Sequence, residues 1–113
     1  MLTLILTALL FPTPVESPTT PAGVWAFARP WAGYTVRLEA DGSYTATRPD
    51  CPQMGWFGTW EYAGGRLTIR ERLYRLDDDG PHLGDWYRYD WPGVTVTRGR
   101  LSGGGVEAVR APE

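Results

Sequence analysis

Lysine and asparagine are missing from this 113-residue chain, and cysteine and histidine occur once each. Each absence excludes something. Without Asn there is no acceptor for N-glycosylation. The eleven basic residues are all Arg and stand against thirteen acids, a net charge of −2 that sets up no basic field for nucleic acid. One Cys cannot form an internal disulfide, and one Cys with one His cannot complete a four-ligand zinc site. The sequence contains no G-x-S-x-G, no glycine-rich phosphate loop ahead of a helix and no H-E-x-x-H. No enzymatic activity and no cofactor are therefore expected. His82, the only imidazole, sits beside the acidic run Asp77-Asp78-Asp79 and reads as a solvated loop histidine. That run lacks the alternating oxygen ligands and distal Glu of a calcium loop, so it reads as a solvated turn.

Long hydrophobic runs are also missing, apart from one. Residues 1–11 are apolar and carry no charged side chain. Eleven residues fall short of the ~20 needed to cross a bilayer, and the stretch reads as the apolar region of a secretory signal, although no Lys or Arg precedes it. Val15-Glu16-Ser17 and Thr20-Pro21-Ala22 both offer small residues for cleavage. Residues 12–21 hold four prolines and form an extended linker. The expected division is a signal and linker over 1–22 and one domain over 23–113, secreted or periplasmic, with no membrane span in the mature chain.

What is abundant is alternation. Tyr34, Val36 and Leu38 share one face against Thr35, Arg37 and Glu39, and Asp41-Gly42 provides a two-residue turn into Tyr44 and Ala46. Residues 56–62 follow, with Gly58, Trp60 and Tyr62 in phase; Gly64-Gly65 turns the chain into 66–73, where Leu67, Ile69 and Leu73 alternate with Thr68, Arg70 and Arg72. Asp77 to Pro81 reads as a turn or loop. In 86–91 either Tyr87, Tyr89 and Trp91 or Trp86, Arg88 and Asp90 form the buried set. Val94 and Val96 alternate next, and a last strand covers 106–110. The pattern predicts an all-β fold: a small antiparallel up-and-down barrel or strongly curled meander of seven to eight short strands.

The order Gly23-Val24-Trp25, Asp41-Gly42-Ser43-Tyr44, Gly58-Thr59-Trp60 and Leu67-Thr68-Ile69 resembles the small lipocalin-like (calycin-type) β-barrel domains of bacterial envelope and secreted proteins. The resemblance covers roughly residues 23–73. It implies an up-and-down barrel and a ligand-holding or accessory role in the envelope, and brings no catalytic residues.

Glu71 breaks the apolar phase of its strand. Without a bulge its carboxylate points inward, where it needs a cationic partner, and Arg88 is one candidate if Trp86, Arg88 and Asp90 form the inward set. A bulge or strand end would instead leave Glu71 in water. Glu71, Arg88, Trp60 and Tyr44 are the expected ligand contacts. Cys51, between Pro49 and Pro52, reads either as a buried, inert thiol or, if exported, as a candidate for redox or dimer chemistry. The expected function is a non-enzymatic binding or accessory module holding a small apolar or aromatic ligand. The alternative is a protein–protein interaction module, an inhibitor or envelope assembly factor, with a barrel filled by its own side chains.

Overall fold

A computed structural model describes residues 20–112; the apolar signal-like segment, and the linker as far as residue 19, lie outside the described residues. Alternation becomes strands where glycine allows the reversals. Gly64 and Gly65 both take positive φ (60° and 77°) and join β4 (Met54–Ala63) to β5 (Arg66–Asp77) through a two-residue turn. β2 (Thr35–Leu38) and β3 (Ser43–Thr47) form the expected hairpin. Its connection is wider than two residues: Glu39 N–H donates to the Ser43 carbonyl, and Asp41 Oδ1 accepts from Ser43 N–H at 2.9 Å.

The hairpin of β5 with β6 (Gly80–Trp91) is longer than the sequence pattern predicts, twelve residues in each strand. Asp77 and Gly80 still pair, so only Asp78 and Asp79 form the tip. Both keep negative φ, Gly80 takes +106°, and Asp77 Oδ1 accepts from Asp79 N–H. The acidic run makes a tight reversal rather than a loop, because the glycine supplies the positive φ that the aspartates avoid.

β1 (Gly23–Arg29) pairs with β2 on one side and with the C-terminal strand β9 (Val106–Arg110) on the other. β8 (Arg100–Gly103) and the two-residue β7 (Thr95–Val96) complete one antiparallel sheet in the order β6-β5-β4-β3-β2-β1-β9-β8-β7. No helix occurs among the described residues. The sheet curls on itself. Leu67 and Ile69 from β5 share one core with Trp25 and Phe27 from β1, Leu101 from β8, and Val106 and Ala108 from β9.

It does not close into a barrel, and the strand count gives the reason. With nine strands alternating in direction among the described residues, the two edge strands β6 and β7 run the same way. A pair between them would be parallel, and parallel neighbours need a crossover of a dozen or more residues. Only Pro92, Gly93 and Val94 link them. The seam stays open, pinned at its corner by Val94, whose N–H donates to the Gly65 carbonyl and whose carbonyl accepts from the Tyr62 hydroxyl at 2.7 Å.

The fold also extends upstream of Gly23. Trp25 is fully buried and its indole N–H donates to the Pro21 carbonyl at 2.7 Å. Arg110 lies over the Trp25 ring, 4.2 Å from its centroid, and donates to the Ala22 carbonyl at 2.9 Å.

Candidate functional site

Strand register places Tyr44, Gly58, Glu71 and Tyr87 side by side across β3, β4, β5 and β6. Alternation puts this row on the concave face. Tyr44 and Glu71 are both 1% exposed, and the Tyr44 hydroxyl donates to Glu71 Oε1 at 2.8 Å. The two residues stand two strands apart, a span of about 9.5 Å. Tyr44 reaches across because Gly58, between them, has no side chain. A Cβ at Gly58 would overlap the Arg70 carbonyl, so the glycine is required from both sides of the strand.

Glu71 therefore points inward, and its partner is a neutral phenol rather than a cation. Burial lifts its carboxyl above the ordinary range, and the Tyr44 hydrogen bond lowers it by less. Burial, followed by the charge of Glu71, drives the Tyr44 phenol far above its usual value. Glu71 Oε2 has no partner among the described residues.

Arg88 is not that partner. Tyr87, Tyr89 and Trp91 form the concave set of β6, and Arg88 falls on the convex face opposite Arg70. Its side chain is 63% exposed, with Nε 3.2 Å from Asp90 Oδ2. The sequence left the phase of β6 open; a bulge decides it, two residues (Gly84 and Asp85) standing against Leu73 alone. Trp60 lies on the concave face beside Ile69, half-buried, and its indole N–H donates to the Glu39 carbonyl at 2.8 Å. That bond ties β4 to the β2–β3 connection.

Trp31 sits in the β1–β2 loop after the cis Arg29–Pro30 bond. Its ring meets Trp91 edge-on at 5.2 Å and Tyr89 at 5.6 Å, and packs at a tilt on Phe27 and Tyr44. Trp31 thus joins the first loop to β6 across the concave face, beside Tyr44 and Glu71. Spacing alone does not reveal this, because Trp31 belongs to no strand.

Two concavities of about 240 and 250 Å³ lie at the rim. One is bordered by Ala22 to Val24 and Arg37 to Ala40. The other is bordered by Tyr34, Arg48, Asp50, Cys51 and Met54. Cys51 is a half-buried free thiol there, next to the Arg48–Asp50 pair, whose two contacts are each 2.9 Å. At the hairpin tip His82 Nε2 is 3.0 Å from Asp77 Oδ1, and Asp79 is close by; all three are exposed.

The most exposed apolar surface belongs to the β5–β6 hairpin. Past Glu71 β5 goes from half-buried (Arg72 to Tyr74) to exposed (Arg75 to Asp77), and β6 ahead of Tyr89 is mostly exposed; β4 flanks β5 as far as Arg75, and this outer part of the hairpin forms an arm. Leu76, Leu83, Trp86 and Tyr87 are exposed on it. The outer backbone edge of β6 pairs with no strand among the described residues. On the convex face the guanidiniums of Arg70 and Arg72 both lie over the Trp86 ring, 5.1 and 5.2 Å from its centroid. Phe57 meets Trp86 and Tyr74 at about 6 Å.

No known protein family, curated protein or solved structure matches the chain.

Proposed function

We propose that the chain is a non-enzymatic binding or accessory module, working outside the cytoplasm, that engages a protein partner through the β5–β6 arm. The observation that carries this reading is the unpaired edge of β6. It is twelve residues long and presents Leu83, Trp86 and Tyr87. An uncovered edge is a liability that proteins ordinarily blunt; β6 carries Pro81 beside the tip, the Gly84–Asp85 bulge and charges at Asp85, Arg88 and Asp90, and the stretch after the bulge still offers Trp86, Tyr87, Tyr89 and Trp91. Its natural complement is an extended segment that adds a tenth strand, with backbone hydrogen bonds supplying affinity and side-chain contacts supplying choice. The concave core, filled by Trp25, Tyr44, Leu67, Ile69 and Leu101, fits a module whose working surface is outside.

Hydrogen exchange tests this. A bound extended peptide from a displayed nine-residue library is expected to protect amides of residues 80–91. A footprint on the 30–34 loop and β3 instead would refute the arm as the contact surface.

Ligand holding keeps one specific support, the buried Glu71 with a carboxylate oxygen that has no hydrogen-bond partner among the described residues. In that reading Tyr44 and Glu71 orient a small guest that enters past Trp31. Uptake of a hydrophobic dye, with quenching of tryptophan emission that Trp31→Ala abolishes, would establish it.

A further inference from the structure

The convex face of the β5–β6 hairpin, from Arg70 and Arg88 outward, carries more positive charge than the acids beside it neutralise. Arg70 and Arg88 stand directly opposite each other across β5 and β6, and Arg72 stands opposite Trp86. Like charges in facing positions are unfavourable. Arg88 is met by Asp90. No carboxylate among the described residues lies within ion-pair reach of Arg70 or Arg72. Their guanidiniums lie over the Trp86 ring, and Arg72 Nε donates to the Gly84 carbonyl. Stacking on an indole fixes a guanidinium's plane while leaving its remaining N–H groups free for an anion. Trp86 is itself 45% exposed. Of the other acids of the arm, Asp77 to Asp79 lie at the tip, where Asp77 meets His82 and Arg75, and Asp85 stands in the β6 bulge with no ion pair among the described residues.

We infer that the partner segment that pairs with β6 is acidic, with Asp or Glu at alternate positions facing the convex side. This rests on the edge-pairing reading above and adds the partner's chemistry to it. A strand added to β6 lies about 4.8 Å from it, and every second side chain then stands level with Trp86 and Arg88 on the convex face. A carboxylate there reaches the free N–H groups of Arg72 or Arg88 and relieves the Arg70–Arg88 opposition. A basic segment would add a fourth positive charge to the same face.

The test compares two acetylated nine-residue peptides, one alternating Glu with Val and one alternating Gln with Val. Titration calorimetry is combined with hydrogen exchange of β6. The Glu peptide is expected to bind at least tenfold tighter at low salt, an advantage that shrinks as salt shortens the Debye length. Arg70→Gln with Arg72→Gln is expected to abolish the advantage while the Gln peptide still protects 80–91. Arg88→Gln, in the facing strand, provides a second variant should the double one fail to fold. Equal binding of the two peptides with β6 protected would overturn the acidic partner and leave edge pairing standing. Failure of both peptides to protect β6 would overturn both. Tighter binding of oligothymidylate would assign the arginines to phosphates and refute the inference, as would self-association of the chain through β6 without peptide.

Discussion

The Tyr44–Glu71 pair makes a prediction whose sign follows from its geometry. Burial raises the folded Glu71 carboxyl above its ordinary value, and one phenolic hydrogen bond offsets this only in part. Between the unfolded and folded values, the folded chain holds a proton that the unfolded chain has released. Stability from this group is therefore fully present below the ordinary carboxyl range and is lost as pH rises through the folded value. The loss is at most about 1.4 kcal/mol for each pH unit crossed. Glu71→Gln keeps an acceptor for the Tyr44 hydroxyl and removes the ionisation.

Asp41, Asp50, Asp77 and Asp90 are all lowered in the fold, Asp41 by Ser43, Asp50 by Arg48, Asp77 by the Asp79 amide and Asp90 by Thr68. They act with the opposite sign, losing stability as pH falls. Because both chains carry them, they cancel in the difference. Urea unfolding of the two chains from pH 4 to 8 should therefore show Glu71→Gln gaining on the parent as pH rises, then levelling. Tyr44→Phe should cost about 1–3 kcal/mol by removing the only donor that the described residues offer to a buried carboxyl, and should push the pH-dependent loss to higher pH. A difference between Glu71→Gln and parent that is flat, or that falls with pH, would mean an ionised, compensated Glu71 and would refute the reasoning.

Three further outcomes are expected. Gly58→Ala places a Cβ against the Arg70 backbone carbonyl, which cannot rotate away, and should destabilise by at least about 3 kcal/mol or abolish folding; an unchanged thermal midpoint would contradict the β4–β5 register. A chain starting at Gly23 loses the Pro21 acceptor of the buried Trp25 indole and the Ala22 acceptor of Arg110. It should be about 1–3 kcal/mol less stable in urea than one starting at Thr20. Trp31→Ala strips the ring that joins Phe27 and Tyr44 to Tyr89 and Trp91, and should cost about 2–4 kcal/mol while raising exchange in β6 before it does so in β1.

What could be read from the sequence was whatever depends on the next two residues. Val36 and Leu38, Tyr44 and Ala46, and Leu67 and Ile69 all face inward where alternation places them, because a strand has a period of two and this sheet has one wet face. The inward carboxyl of Glu71 follows from the same phase. Its partner does not, since a contact that skips a strand depends on lateral register, and the clue lay in Gly58, a glycine in the middle of an aromatic strand. Arg88 was out of reach of pattern reading for a related reason. One extra residue at Gly84–Asp85 reverses the phase of everything after it, and both faces of 86–91 are rich in aromatics. The open seam is a matter of parity. A single strand more or fewer changes whether the edges run opposite or alike, and β8, whose Arg100-Leu101-Ser102-Gly103 contains one apolar anchor, gives too little alternation to be counted. Because that short strand is present, β6 pairs with β5 alone among the described residues, and its outer edge, on which the proposed function rests, stays open.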